Sequence, residues 1–236
     1  MADAGAGRED RSGRATAAYV VAIDGPAASG KSSTATWVAE RLGVRHVDSG
    51  ELYRAVTLAS LASETGEQSW TEERVLAAAR HVLIHETEGG LVLRVDGAPV
   101  QSEDLHGEAV TQHVSQVARM AGVRAWVNAR LHACAAAGPM VVDGRDMGTA
   151  VFPDAALKIF LVADPWERAR RRLTQRLARL PHDDEIARET EELVRRDARD
   201  APQSQPAPDA ILIDTTFLTQ EEQVDRIVAL AKAASP

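Results

Sequence analysis

Residues 25–32 near the amino end have the types and spacing needed to hold a polyphosphate. They read Gly-Pro-Ala-Ala-Ser-Gly-Lys-Ser, which fits the phosphate-loop pattern G-x-x-x-x-G-K-S. Backbone N–H groups must curl around the phosphates, and Gly25 and Gly30 permit that backbone path. Lys31 can reach the β- and γ-phosphates of a bound nucleotide, and the Ser32 hydroxyl can ligate Mg²⁺. The predicted donor-binding residues are Gly25, Pro26, Ala27, Ala28, Ser29, Gly30, Lys31, Ser32 and Ser33.

The flanking residues place this loop between a strand and a helix. Residues 19–23 form an apolar run of strand length, rich in β-branched residues. Apolar residues then recur at helical spacing, at Ala35, Val38, Ala39 and Leu42. Gly43 ends the predicted helix, whose amino end adds a partial positive charge toward a phosphate. This context favours a true phosphate-binding loop over a chance Gly/Ser-rich turn.

Polar residues and glycines follow three of the predicted strands. The segments are Asp24-Gly25, Asp48-Ser49-Gly50 and, after a strand at residues 140–143 that ends in Asp143, Gly144-Arg145-Asp146. Further strands are predicted at residues 157–163 and 210–214. Because the strands alternate with helices, we predict an α/β P-loop fold in three layers, with a five-stranded parallel sheet covered on both faces. Ligands of such sheets bind at the carboxyl ends of the strands, so these polar segments predict a substrate crevice.

The chain is expected to form one domain over residues 19–236, preceded by a disordered tail at residues 1–18. A polar loop at 64–69 and two β-rich runs around residues 87–90, a hairpin signal, indicate a small mixed insert over about 64–106. Residues 107–137 predict two helices broken near Gly122. Pro165 is suited to the first turn of an Arg-dense helix that runs to about Leu180.

The overall composition argues against several classes of partner. The 236 residues carry a formal net charge of −8, so no overall basic field indicates binding to nucleic acid. No apolar run approaches membrane-spanning length, and residues 1–18 contain no hydrophobic segment typical of a secretory signal. We therefore expect a cytoplasmic monomer that binds neither nucleic acid nor membrane.

Other uses of a phosphate-binding loop are weighed by their own signatures. A GTPase needs an Asn-Lys-x-Asp guanine reader, and none of the lysines, at positions 31, 158 and 232, lies in one. A non-catalytic nucleotide-binding protein is disfavoured because Lys31 and Ser32 are both present. A metal site at His81 and His85 is disfavoured because no third ligand is evident. A small-molecule kinase with another acceptor shares the fold and stays open at this point.

Three motifs in order give the chain a resemblance to bacterial cytidylate kinases. They are the loop at residues 25–33, Asp-Ser-Gly-Glu-Leu-Tyr-Arg at 48–54 and Gly-Arg-Asp-Met-Gly-Thr-Ala-Val-Phe-Pro-Asp-Ala at 144–155. The resemblance extends from about residue 19 to 233. It implies a nucleoside monophosphate kinase fold with an acceptor-side insert and a mobile lid at about residues 165–183. It also implies Mg²⁺-dependent transfer of the γ-phosphoryl group of ATP to CMP or dCMP.

The resemblance also implies roles for individual residues on the acceptor side. Arg54 and Arg145 would bind the acceptor phosphate, and two arginines are a suitable clamp for a doubly charged group. Asp146 would accept a hydrogen bond from the cytosine amino group, with Ser115 and Arg124 at the same edge of the base. Arg196 and Asp200 would lie near the ribose. The predicted acceptor-binding residues are Asp48, Ser49, Gly50, Tyr53, Arg54, Ser115, Arg124, Gly144, Arg145, Asp146, Arg196 and Asp200.

Catalysis in such an enzyme needs no general base, because the attacking phosphate oxygen is already ionised at neutral pH. The expected contributions are positioning and neutralisation of charge by Mg²⁺ and cationic side chains. Lys31 and Arg145 are two of these cations. Among the arginines of the predicted lid helix we favour Arg168 and Arg172, which lie one turn apart.

Two positions depart from the family pattern on the acceptor side. Gln203 stands where an arginine usually follows the Arg-Asp-x-x-Asp motif of residues 196–200, and His106 ends a segment that usually reads Glu-Ile-Arg. Loss of one charged donor costs roughly 1.5–3 kcal/mol of binding free energy. A paralogue that phosphorylates a modified cytidine nucleotide is therefore an alternative hypothesis.

Overall fold

A computed structural model describes residues 19–63, 70–87 and 90–234 of the chain. The predicted tail at residues 1–18 and the loop at 64–69 lie outside the described residues. The described strands are β1 Val20–Asp24, β2 Arg45–Asp48, β3 Val82–Thr87, β4 Gly90–Val95, β5 Ala98–Pro99, β6 Met140–Gly144, β7 Leu157–Val162 and β8 Ile211–Asp214. The described α-helices are α1 Lys31–Leu42, α2 Ser49–Ala62, α3 Glu72–Ala79, α4 Ser102–His106, α5 Glu108–Val117, α6 Ala121–Ala137, α7 Pro165–Leu177, α8 Asp183–Asp200 and α9 Gln220–Ala234.

The parallel sheet has the five strands that the sequence predicts, in the order β2-β6-β1-β7-β8. β1 lies in the middle of the sheet, and all of its residues are buried. Val20 and Ala22 belong to one apolar cluster, whereas Val21 and Ile23 belong to another. Since successive side chains of a strand point to opposite faces, these clusters cover the two faces of the sheet. The predicted three-layer α/β fold is therefore confirmed.

Helices on each face bury the apolar side chains that their sequences repeat at helical spacing. Leu52 of α2 and Leu131 of α6 are fully buried in the cluster on one face. Val38 of α1 and Ile227 of α9 are fully buried in the cluster on the other face. Burial of each such side chain contributes about 1.5–3 kcal/mol to the stability of the fold. The central strands are thereby held rigidly, and with them the loops that follow their carboxyl ends.

The insert contains a second, antiparallel sheet in the order β3-β4-β5. β3 pairs with β4 from Val82 opposite Val95 to Thr87 opposite Gly90, which confirms the predicted hairpin. Val82 and Leu93 pack into the same apolar cluster as helix α2. The insert is thus packed against the helix that follows the second strand of the main sheet.

The two predicted helices of residues 107–137 are confirmed, and the break between them lies at residues 118–120, just before Gly122. α5 ends at Val117 and α6 begins at Ala121, so Gly122 lies in the first turn of α6. A Cβ atom on Gly122 would lie 2.4 Å from Glu72 Oε1 and 2.8 Å from Leu76 Cδ1. The glycine therefore allows α3 to approach α6 closely. In the sequence, a glycine required by packing looks the same as a glycine that breaks a helix.

Helices α7 and α8 form a pair that contacts the phosphate-binding loop. The Asp164 side chain accepts hydrogen bonds from the first-turn N–H groups of α7, and Pro165 is the first residue of the helix, as predicted. α7 ends at Leu177, three residues before the predicted end at Leu180. Ala27 of the loop packs into a third apolar cluster with residues of both helices, namely Ala169, Leu173, Ile186 and Leu193.

Gly25 of the phosphate-binding loop has no room for a side chain. Its φ is +153°, and an added Cβ would lie 2.4 Å from the Leu161 carbonyl oxygen on β7. We predict that Gly25→Ala lowers the free energy of unfolding by about 1–3 kcal/mol from backbone strain and by a similar amount from the clash. Chemical denaturation measures this. Gly43→Ala is the control, because Gly43 has φ +67° but open space around it. An equal loss in both variants would contradict the steric argument.

Candidate active site

A cavity of about 750 Å³ opens where the loops after β1, β2 and β6 meet. Most of the residues predicted from the sequence line this one cavity. Those on its wall are Ala27, Ala28, Ser29, Gly30, Lys31, Ser32, Ser33, Asp48, Ser49, Gly50, Tyr53, Arg54, Ser115, Arg124, Gly144, Arg145, Asp146, Arg172, Arg196 and Asp200. The predicted donor and acceptor residues are therefore brought together, and Gly25, Pro26 and Arg168 are the predicted residues that do not line the wall.

The donor side of the cavity is built by the loop and the amino end of α1. Gly30 precedes α1 with φ +87° and offers no side-chain cap, so the first-turn N–H groups have no capping side chain. Such N–H groups suit a phosphate oxygen. The Lys31 ammonium donates to the Pro26 carbonyl oxygen at 2.7 Å. Burial lowers the pKa of Lys31 to about 8, and the neighbouring Arg145 adds to the shift. Asp143, Asp48 and Asp24 offset part of this shift, and a bound polyphosphate would add further negative charge beside the ammonium group.

Two carboxylates, the buried Asp143 and the half-buried Asp48, converge on the Ser32 hydroxyl, which is the predicted magnesium ligand. Ser32 Oγ lies 2.8 Å from Asp48 Oδ2 and 2.7 Å from Asp143 Oδ2. One hydroxyl proton can serve only one of these oxygens, so the second contact needs a further proton or a cation. Burial and the charge of Asp143 both raise the pKa of Asp48. A hydroxyl and two carboxylates are oxygen ligands of the kind that Mg²⁺ prefers.

Among residues 19–63, 70–87 and 90–234, no three His, Cys, Asp or Glu side chains are grouped so that they could hold a metal ion by themselves. Mg²⁺ is usually held by one or two carboxylates together with substrate phosphates and waters. The residues around Ser32 therefore fit the predicted ion.

The two residues predicted to read the acceptor base form an ion pair on the cavity wall. The Arg124 guanidinium donates to Asp146 Oδ2. The backbone directly after Asp146 is fixed by Asp24, which accepts hydrogen bonds from the Met147 and Gly148 N–H groups at 2.9 and 2.8 Å. Burial raises the pKa of Asp24 to about 6. The residue before the phosphate-binding loop thereby fixes the residue expected to read the acceptor base.

The acceptor side also concentrates cationic side chains around one carboxylate. Asp200 Oδ2 lies 3.0 Å from Arg145 Nη2 and 3.7 Å from Arg196 Nε. Arg145 Nη1 and Arg196 Nε are buried, and neither has a hydrogen-bond partner in the described part of the chain. Burial lowers the pKa of Arg196 to about 10, and the neighbouring Arg145 adds to that shift. These unpartnered N–H groups are suited to an anionic ligand such as a phosphate.

The predicted lid arginines prove to differ in position. Arg168 is 4% exposed and pairs with Asp197 at 2.7 Å, so its guanidinium is turned away from the cavity. It also donates to the Ala27 carbonyl oxygen at 2.7 Å, which fixes the loop. Arg168 does not line the cavity, and its catalytic role stays a prediction. Arg172 lies on the cavity wall as predicted, 3.2 Å from Glu189 of α8.

The family follows from comparison of the whole sequence with known proteins. A family model described as cytidylate kinase matches residues 21–233. The chain belongs to the cytidylate kinase family. A cytidylate kinase of Thermus thermophilus is 46% identical over 213 residues, covering 89% of this chain and 97% of the relative. One of Geobacillus kaustophilus is 44% identical over 217 residues, covering 89% and 95%. A solved shikimate kinase of Bacteroides thetaiotaomicron is 17% identical, covers 91% of this chain and 98% of its own, and has a TM-score of 0.41, which adds nothing to this assignment.

The site of this cytidylate kinase family member also contains residues that the sequence motifs did not single out. Arg171 lies on the cavity wall and donates to the Thr215 and Thr216 carbonyl oxygens at 2.6 and 2.8 Å. Gln220 and Gln223 reach the wall from α9. No local pattern marks these residues, because they reach the site only through the packing of α7 and α9. In the described residues no helix is both long and apolar enough to cross a membrane.

His46 lies behind the site and was also missed. Its Nε2 is 2.7 Å from Asp143 Oδ1, and its Nδ1 is 3.2 Å from Thr36 Oγ1. The Thr36 hydroxyl donates its proton to the Ser32 carbonyl oxygen, so it can only accept from His46. Both ring nitrogens therefore face acceptors, which favours the imidazolium. Burial by itself lowers the pKa of His46, but the hydrogen bond and the charge of Asp143 outweigh burial and raise it.

We predict that His46→Gln removes stability in a pH-dependent way. Because the folded-state pKa of His46 is raised, its charge stabilises the fold fully below the unfolded-state pKa of about 6.5. That contribution is lost as the pH rises through the folded-state value. The difference in unfolding free energy between wild type and variant should therefore be larger at acid pH than at pH near 9. Chemical denaturation across this range measures it, and a difference independent of pH would show that His46 is neutral throughout.

Proposed function

We propose that this cytidylate kinase family member transfers the γ-phosphoryl group of ATP to CMP or dCMP, giving ADP and CDP or dCDP. One observation carries the proposal beyond family membership. The Arg124–Asp146 pair and the phosphate-binding loop lie in the same cavity. A reader for a base edge and a cradle for phosphates are thus close enough to serve two nucleotides at once.

The Arg124–Asp146 pair complements cytosine better than uracil. Cytosine presents an amino donor beside the N3 and O2 acceptors. Asp146 can accept from the amino group while the Arg124 guanidinium donates to the acceptors. Uracil has a carbonyl oxygen in place of the amino group, and that oxygen would face the Asp146 carboxylate. Such a mismatch leaves buried polar groups unpaired, which is how sites reject close analogues strongly.

The acceptor phosphate fits the cationic side of the cavity. Arg54 lies on the wall and is held by the Leu105 carbonyl oxygen at 3.0 Å. Arg145 and Arg196 line the same wall, and each has a buried N–H group without a partner among the described residues. These arginines would bind and orient the phosphate whose oxygen attacks ATP. The charge that develops on the transferred group would be neutralised by Lys31, Arg145 and Arg172, without a proton acceptor.

Mg²⁺ is the expected cofactor, and Ser32 with Asp48 or Asp143 would hold it. When bound, the ion neutralises charge on the phosphates and helps to orient them. The protein residues would supply the remaining requirements, which are hydrogen-bond donors for the phosphates and groups that hold the acceptor base in place.

A second acceptor class is favoured by two residues on the cavity wall. Gln203 and His106 both line the cavity at the positions that depart from the family pattern. Neither supplies the fixed positive charge of an arginine. A modified cytidine nucleotide, read at the same base edge but differing in its sugar or phosphate, is therefore the alternative acceptor.

We also propose the wider setting expected from the sequence. The chain would act on free nucleotides in the cytoplasm as a monomer, without nucleic acid or membrane as a partner. The net charge of −8 supports the absence of a nucleic-acid surface. Residues 64–106 would act as the acceptor-side insert and residues 165–183 as the lid.

We expect Mg²⁺-dependent consumption of ATP with CMP and dCMP, and much weaker turnover of UMP, dTMP, AMP, GMP and shikimate. Steady-state assays over this panel measure the preference. Lys31→Ala is the control, because loss of a charge facing the β- and γ-phosphates should nearly abolish turnover while the chain stays folded. Shikimate or a purine nucleotide as the best substrate would refute the proposal. Turnover of none, with ATP still bound, would favour the modified-nucleotide alternative.

Asp146→Asn tests the reading of the base. An amide can present either a donor or an acceptor, so the variant should no longer reject a carbonyl oxygen at the position of the cytosine amino group. We expect the ratio of kcat/KM for CMP over UMP to fall by roughly 10-fold or more, as for one charged hydrogen bond. The KM for ATP should change little. An unchanged ratio would show that Asp146 does not face the base.

A further inference from the structure

His46 has no part in the proposed chemistry, yet it is tightly held beside the site. It lies on β2, its side chain is 16% exposed, and it does not line the cavity. Its two ring nitrogens contact Asp143 at 2.7 Å and Thr36 at 3.2 Å. Since Thr36 can only accept from the ring, both contacts fix the orientation of the imidazole. A ring held at both nitrogens can hold its neighbour in turn.

The two carboxylates that converge on Ser32 are arranged alike. Each has one oxygen held by the protein and the other turned to the Ser32 hydroxyl. For Asp48, Oδ1 accepts hydrogen bonds from the Gly50 and Glu51 N–H groups at 2.7 and 3.3 Å. The amino end of α2 therefore fixes the orientation of Asp48, and Oδ2 is left facing Ser32.

Asp143 has no helix end to hold it in the same way. Its Oδ1 contacts His46, and its Oδ2 faces Ser32 at 2.7 Å. The side chain is 2% exposed, so water offers little alternative support for Oδ1. Without the imidazole, the carboxylate could turn about its side-chain bonds and would leave a buried oxygen unpaired. His46 thus does for Asp143 what the amino end of α2 does for Asp48.

We propose that His46 is a positioning residue for the magnesium site, because its Nε2–H holds Asp143 with Oδ2 facing the Ser32 hydroxyl. The inference rests on the proposed function only in that the ion accompanies a bound nucleotide. Groups that orient metal-ligating side chains commonly change metal affinity by about 10–100-fold when they are removed. The contribution of Mg²⁺ to nucleotide binding should therefore depend on the hydrogen bond from His46.

The test is a binding measurement that needs no turnover. Calorimetry gives the dissociation constant of ADP in EDTA and at saturating Mg²⁺, and the ratio of the two reports the contribution of the ion. His46→Leu removes the donor, so we expect the ratio to fall by about 10–100-fold relative to wild type. His46→Gln can place its amide N–H near the position of Nε2 and should keep the ratio within roughly threefold of wild type. Affinity for ADP in EDTA should stay the same in both.

His81→Leu is the matched control, because His81 forms a second His–Asp pair, with Asp96 at 2.5 Å, outside the cavity wall. Its ratio should equal that of wild type. If His46→Leu does not fold, Thr36→Val replaces it, since loss of the acceptor for Nδ1 should loosen the ring and lower the ratio in the same direction.

Two outcomes would overturn the proposal. One is an unchanged ratio in His46→Leu, which would mean that Asp143 needs no support or does not meet the ion. The other is an equal fall in His46→Leu and His46→Gln, which would show that the hydrogen bond is not what matters. Turnover of CMP by the wild type is measured separately, so failure of the proposed function would be seen independently of either result.

Discussion

The pairing of β1 with β6 is the constraint on which the site depends. The register sets Asp24 opposite Gly144, so the phosphate-binding loop and the Gly144-Arg145-Asp146 segment leave the sheet side by side. β2 adds Asp48 opposite Asp143 on the other side of β6. Parallel strands deliver all their carboxyl ends to one edge, and burial on both faces prevents the register from slipping. The groups proposed to bind the donor, the metal and the acceptor are neighbours because three adjoining strands end together.

That arrangement forces like charges together, and the fold compensates for them locally. Carboxylates gather around Ser32, where His46 and the amino end of α2 balance them. Arginines gather on the acceptor side, where Asp200 contacts two of them. Compensation is incomplete in both places, since one hydroxyl proton serves two carboxylates and two arginine N–H groups have no partner among the described residues. The uncompensated charge is negative around Ser32 and positive around the arginines. It is therefore complementary to the proposed cation and to the phosphate of the proposed acceptor.

The sequence alone could predict the parts of this site that follow from chain-local rules. The loop at residues 25–33 and the polar ends of the strands were predictable because strand length, glycine position and helical spacing are all encoded locally. His46 was not, because a single histidine in a four-residue strand carries no periodic signal, and its role arises from Asp143, 97 residues away. The position of Arg168 was not predictable for a related reason. Helical spacing places Arg168 and Arg172 on one face of α7, but only the contacts of Arg168 with Asp197 of α8 and with Ala27 explain why it is buried while Arg172 lines the cavity.

The hold of α7 and α8 on Ala27 has a thermodynamic consequence. Arg168 of α7 donates to the Ala27 carbonyl oxygen, and Asp197 of α8 accepts a hydrogen bond from the Ala27 N–H group at 3.2 Å. The conformation of the loop and the docking of the helix pair are therefore one equilibrium rather than two. A ligand that binds only the ordered loop stabilises everything coupled to it. Nucleotide on the donor side should thus protect the backbone amides of α7 and α8 from hydrogen exchange, although neither helix belongs to the loop itself.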